Sequence, residues 1–170
     1  MKLLAELTDM NLLGFPGTSD AAPRMTARAV LRRPDGMIAV MYVGKYDIYI
    51  LPGGGVDEGE SILETLHREI AEETGCLCRS VRELGMVKEN RAHPDYTQIS
   101  YYYFAETDGP QQSLRLTDAE TSNGTQLQWH TPEQAMHLIG SPIHEVRQRI
   151  FLQARDMAAL TEYAKADDAP

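Results

Sequence analysis

In several stretches of this chain, apolar and polar positions alternate with the two-residue period of a β-strand. Arg24 to Arg33, RMTARAVLRR, is one such stretch; Pro34-Asp35-Gly36 follows as a turn and Met37 to Val43 returns, which predicts a hairpin. Ile48 to Leu51 reads as a short strand, Leu77 to Arg91 contains alternating stretches, and Thr125 to His130 is the last strand. Thr97 to Ala105 carries the clearest pattern. Ile99, Tyr101, Tyr103 and Ala105 fall on one face, and Ser100, Tyr102 and Phe104 on the other. Both faces are largely apolar, so this strand is expected in the middle of a sheet.

Between these strands the period changes to that of a helix. Ser61 followed by Glu64 has the form of a capping box, in which each side chain satisfies an orphan backbone N–H, so a helix is predicted from Ile62. Gly75 predicts its end at Thr74, because glycine takes the left-handed conformation just past a helix C-terminus. On a wheel, Ile62, Leu63, Leu66 and Ile70 cover one arc, and Glu69, Glu72 and Glu73 cover the arc beside it. Thr131-Pro132-Glu133 opens a short helix to Ile139. Residues 143 to 165 form a long amphipathic helix with Ile143, Val146, Ile150, Ala154, Met157 and Ala158 inward; it is expected to cover the core, a homodimer contact being the alternative.

The segment 1 to 13 suits an edge strand or a short helix, and 14 to 23 reads as a loop by its Gly, Pro, Ser and Asp content. His93 to Tyr96 joins two strands, and the polar, turn-rich run from Thr107 to Gly124 has about the length of a functional loop. Strands interspersed with substantial helices suit a mixed sheet with helices on both faces. The 170 residues are expected to form one domain, with 1–23 as an N-terminal extension and 143–165 as the long C-terminal helix.

Composition narrows the function. The hydrophobic share of 42% is enough for a substantial core. No apolar run approaches the roughly 18 residues of a membrane span, and MKLLAELTDMNLLG, broken by Glu6 and Asp9, is not a secretory signal. Cys76 and Cys78, one residue apart, make neither a disulfide framework nor a zinc site, so a reduced, cytoplasmic chain is the expectation. The net charge of −9, without a lysine/arginine run, argues against non-specific binding to nucleic acid or anionic membranes. It does not argue against a phosphate substrate whose charge a metal receives.

The chemistry concentrates in Leu51 to Cys76, LPGGGVDEGESILETLHREIAEETGC, where a glycine turn feeds the helix 62–74. Glu69 and Glu73 are like charges at i,i+4, they border the buried arc, and they sit toward the helix C-terminus, where the macrodipole disfavours negative charge. Arg68 can pair with Glu72, yet one cation against three carboxylates leaves a deficit that a divalent metal with oxygen ligands would fill. Magnesium suits such a site. Gly53, Gly54 and Gly55 let the backbone approach a ligand closely. An isolated pair of glutamates would read as a solvated face; the fixed spacing of the glycine turn, Glu60, the Arg-Glu step and Gly75 tips the reading to a metal site.

This stretch resembles the signature of the Nudix hydrolases (MutT-like), G-x5-E-x7-R-E-U-x-E-E-x-G-U with U aliphatic, from Gly54 through Cys76; the departure is Cys76 at the last U. The resemblance implies an α/β/α sandwich and Mg2+-dependent hydrolysis of a nucleoside diphosphate linked to another group, with Mn2+ able to substitute. It implies that Glu72 and Glu73 are metal ligands, Glu69 a ligand or the base acting on water, Arg68 the residue orienting Glu69, and the Gly53 carbonyl a further metal contact. Gly54 and Gly55 would border the substrate, with Glu60 and Gly75 supporting the site. Nudix sites commonly recruit another carboxylate from a distant loop, for which Glu120, then Asp118, is the candidate. The implied partner is a small nucleotide-type molecule, not a nucleic acid or membrane; nucleoside triphosphates, nucleotide sugars and ADP-ribose all stay open. A catalytically silent nucleotide-binding module is the alternative, disfavoured by the intact glutamates.

Other side chains have plainer explanations. His67 points to the polar arc, and Lys45, though near enough to the turn to touch phosphate, is as well explained as a solvated lysine. Tyr46, Tyr49 and Tyr96 could stack on a base but are better read as packing, and Trp129 as core.

Overall fold

A computed structural model describes residues 1–141 and 147–167. Six strands lie side by side in the order β1 (Leu3–Thr8), β6 (Leu77–Arg91), β7 (Tyr96–Asp108), β2 (Arg24–Arg32), β3 (Ile38–Val43), β4 (Ile48–Ile50). Two more branch from this path: β5 (Gly53–Gly55) pairs with β2, and β8 (Thr125–His130) pairs with β3. The sheet is mixed, since β2 runs parallel to β7 and antiparallel to β5. The strand with two apolar faces, β7, is central as expected, between β6 and β2. The first segment supplies both of the anticipated structures, β1 and then α1 (Asp9–Leu13).

Residue alternation on β2 sorts the core into two layers. Ala27, Ala29 and Leu31 pack with Leu66 and Ile70 of α2 (Ile62–Thr74) on one face. Val30 packs on the other face with Ile139 of α4 (Pro132–Ile139) and with Phe151, Leu160 and Tyr163 of α5 (Arg147–Asp167). The result is an α/β/α sandwich. Each fully buried Leu or Ile contributes about 1.5–3 kcal/mol, so Leu66 and Ile70 anchor α2, with the partly buried Ile62 packed against the same layer. There Leu63, expected on the buried arc, is 47% exposed, while Thr65, Glu73 and Thr74 are buried.

The last helix differs from its expected register. Ile143 and Val146 lie outside the described residues, and Ile150, Ala154, Met157 and Ala158 are only half-buried. The deepest stripe is Phe151, Arg155, Asp156, Ala159, Leu160 and Tyr163. Hydropathy would never place Arg-Asp inside; bonds to distant parts of the chain do. Asp156 accepts from Leu51 N–H (2.9 Å), from Arg155 Nε (2.9 Å) and from the Tyr102 hydroxyl. Burial pulls its carboxyl up, but Arg155 and Arg28 together hold it below its ordinary value. Asp156 thereby ties α5 to the strand end that leads into β5.

Candidate active site

The helix α2 forms where its caps predict. Ser61 Oγ accepts from Glu64 N–H (3.3 Å) and Glu64 accepts from Ser61 N–H (2.8 Å), while Gly75 closes the helix at φ +66° with its N–H on the Ala71 carbonyl. Carbonyls at this end, otherwise orphaned, find partners in the loop that follows β7: Gln112 N–H donates to Gly75 O (2.7 Å) and Arg115 N–H to Glu72 O (2.8 Å). That loop then delivers α3 (Asp118–Ser122), so the cap of one helix positions a second carboxylate-bearing segment.

Arg68 gathers the acidic side chains. Its Nε and Nη2 donate to the two oxygens of Glu60 (2.7 and 2.9 Å), its Nη1 to Glu69 (2.8 Å) and Glu72 (3.4 Å), and Nη2 also to the Gly55 carbonyl (3.0 Å). Asp57, not anticipated from the sequence, adds an ion pair at 3.6 Å. The Arg68 fork and the Thr65 hydroxyl hold the Glu60 carboxyl at about 2, well below the usual range. The Glu69 carboxylate is pressed against β5: a Cβ added at Gly54 would come within 2.3 Å of its oxygen. Only glycine leaves that approach open. Burial is the first cause that raises the Glu69 carboxyl, opposed by Arg68 and by Arg28.

Glu73 is the deepest of the set. It accepts from Gly53 N–H at 2.5 Å, and burial pushes its carboxyl up to about 8, with Glu69 and Glu120 adding repulsion. Glu120 therefore stands close enough to act on Glu73 even while its own carboxylate caps α3 through Thr117. Asp118 is exposed. Lys45 lies in the turn Gly44–Tyr46 with its ammonium 5.3 Å from the Tyr46 ring, and His67 is exposed and meets Cys78 Sγ at 3.2 Å.

Among the described residues no three carboxylate, histidine or cysteine side chains converge into a ready cage: Glu69 and Glu72 are turned to Arg68, and Glu73 to the Gly53 N–H. The donor set nevertheless fits a hard divalent cation. Its oxygens are carboxylates whose burial and mutual repulsion favour the neutral form, and a doubly charged ion would reverse both effects.

Sequence reasoning missed Arg28. It stands between Ala27 and Ala29 on β2, is 8% exposed, donates through Nη1 to the Leu51 carbonyl (3.0 Å), and acts on both Glu69 and Glu73. A cation at an inward position of an otherwise apolar strand was the available signal.

Comparison with known proteins fits this arrangement. The family model of the NUDIX domain matches residues 22–152, and the chain belongs to that family. It is a Nudix hydrolase, an enzyme that cleaves the diphosphate bond of a nucleotide-type compound, and the enzymes of this family generally use divalent metals. Over 124 residues it is 32% identical to a protein of Helicobacter pylori (strain G27) named RNA pyrophosphohydrolase, covering 68% of this chain and 78% of the relative. A NUDIX hydrolase from Nitrosomonas europaea shares the fold at a TM-score of 0.65 and 18% identity, covering 88% of this chain and 93% of the other. A MutT NUDIX hydrolase from Burkholderia pseudomallei does so at 0.56 and 21%, covering 79% and 98%.

Proposed function

We propose that α2 and the glycine strand β5 form the hydrolytic centre, with Glu69 as the base and Arg68 as the residue that orients it. The observation that carries this reading is the Arg68 fork: it is braced by both oxygens of Glu60 and holds Glu69 at 2.8 Å, directly against Gly54. Glu69 accepts a proton from the attacking water, as a carboxylate of raised basicity does well. The water oxygen bonds to phosphorus as the bridging P–O bond breaks. Gly54 and Gly55 leave the strand free of side chains where the diphosphate must approach.

Glu69, Glu72 and Glu73, the Gly53 carbonyl and Glu120 are the groups that would hold the cation. Magnesium is the first choice for such oxygen donors, and manganese can replace it. When bound, the cation supplies a positive field that neutralises charge developing on the phosphate oxygens and makes water more acidic. The two free cysteines, Cys76 and Cys78, are in keeping with a reduced, cytoplasmic setting.

Substrate choice is tested by phosphate or pyrophosphate release with magnesium across nucleoside triphosphates, nucleotide sugars, ADP-ribose and triphosphorylated RNA. RNA enters the panel because the Helicobacter relative is named for it. With a net charge of −9, this chain would engage such a strand by its phosphorylated end alone. The variant Glu69→Gln is expected to lose about 10²- to 10⁴-fold in kcat with its fold unchanged. Full turnover in Glu69→Gln, or binding without release for every compound, would remove the assignment.

A further inference from the structure

On the α5 face of the sheet, a cavity of about 210 Å³ is lined by Arg24 and Arg28 of β2, Arg91 of β6, Tyr96 and Gln98 of β7 and Arg155 of α5. This is smaller than the roughly 300–1,000 Å³ of a pocket for a whole drug-sized ligand. It suits one compact group. Among the described residues its walls carry four guanidiniums and no carboxylate.

Much of the charge around it is met within the protein, Arg28 acting also on Glu69 and Glu73, but individual donors are left over. Arg28, Arg91 and Arg155 are 8%, 5% and 1% exposed, and the buried carboxylates beside them are Glu89 and Asp156. Those two are already engaged: Glu89 by Arg91 and by the Gln98 amide (3.0 Å), Asp156 by Arg155, Tyr102 and Leu51 N–H. Among the described residues, the buried Arg28 Nε, Arg91 Nε and Arg155 Nη2 have no hydrogen-bond partner. A buried charged donor left without a bond is costly, so three on residues that line one cavity point to an anion that completes them.

The cavity also has a fixed relation to the glutamates. They border β5 from the α2 side, through Gly53 N–H and the close approach at Gly54, whereas a Cβ at Gly55 would come within 2.7 Å of Arg24. Arg28, paired in register with Gly53, acts on Glu69 and Glu73 and lines the cavity as well. A molecule laid across the glycine strand thus meets carboxylates at one end and guanidiniums at the other.

We propose that this cavity seats a phosphate ester carried by the part of the substrate that lies beyond the hydrolysed diphosphate, so that the enzyme selects organic di- or triphosphates bearing a further phosphate. Guanidinium forks match phosphate oxygens in bidentate geometry, which a neutral sugar or base cannot exploit. This rests on the reading of α2 and β5 as the hydrolytic centre.

Two measurements on the full chain test it. In one, kcat/KM with magnesium is compared within matched pairs: GTP against the triphosphorylated dinucleotide pppGpU, and ADP-ribose against ADP-ribose 2′-phosphate. In the other, inorganic phosphate is titrated calorimetrically into chelator-treated protein. The phosphorylated member of at least one pair is expected to win by about tenfold or more, the gain of one or two charge-assisted bonds. The first pair reports a phosphodiester and the second a monoester. Arg24→Gln, an exposed position, should cut that preference to about twofold and weaken phosphate binding by about tenfold. Equal kcat/KM within both pairs overturns the proposal, even if free phosphate binds. A failed hydrolytic reading looks different: nothing is turned over, yet phosphate binds and Arg24→Gln weakens it, and the anion seat stands.

Discussion

Asp156 on α5 and Glu73 on α2 are both withdrawn from water, at 0% and 5% exposure, yet their surroundings treat the negative charge in opposite ways. Asp156 receives Leu51 N–H, the Tyr102 hydroxyl and Arg155 Nε, and these cations and donors overcome the upward pull of burial. Glu73 receives the Gly53 N–H but faces Glu69 and Glu120, and burial raises its carboxyl to about 8. A buried carboxylate ringed by donors serves the fold. One that burial and neighbouring carboxylates raise, against the Gly53 N–H and Arg28, favours its neutral form instead.

That contrast can be broken most forcefully at Asp156. Asp156→Ala leaves Arg155 buried and uncompensated, with an expected loss of about 3–5 kcal/mol in urea unfolding, the range for breaking a buried ion pair. A loss below about 1 kcal/mol would show that the α5 network is not holding the fold.

Glu73→Gln should move stability the other way in chelator-treated protein. Folded wild type keeps the Glu73 proton up to about 8, whereas the unfolded chain releases it near the ordinary 4.5. Wild-type stability therefore falls as pH rises between those values. The variant should flatten that slope and show a higher melting temperature at pH 8, and it should lose the stabilisation that magnesium gives wild type. An unchanged slope would mean that Glu73 is ionised in the folded protein without a cation.

The smallest effect belongs to Glu60, half-exposed on the Arg68 fork. Its carboxyl is held at about 2, below the ordinary 4.5, so its contribution is present above the ordinary value and is lost as pH falls through the folded one. Glu60→Gln should leave melting at pH 7 nearly unchanged, flatten the acid limb, and lower kcat by loosening Glu69. If kcat holds, Arg68 does not need its brace.

Much of the half built from α2 and β5 was legible because its cues are local. Ser61 and Glu64, Gly75, and the i,i+3 and i,i+4 spacing of the glutamates act within a few residues of one another, so caps and helix faces follow from the order of side chains. The central strand was legible for the same reason: Ile99 to Ala105 states its two apolar faces outright. The register of α5 was misread because polar bonds overruled hydropathy: the helix turns Arg155 and Asp156 inward because Leu51 N–H and Tyr102 require a buried acceptor.

By itself, then, the sequence determined the helix that carries the glutamates, the glycine strand before it and the family to which both belong. Only the tertiary structure decided that Arg24, Arg28, Arg91 and Arg155 line one cavity, and that the loop after β7 brings Glu120 within reach of Glu73. The physical reason is range. Helix caps and periodicity depend on neighbours a few residues away, whereas four arginines on two strands and a helix become neighbours only when the order β6-β7-β2 and the packing of α5 are fixed by the whole core.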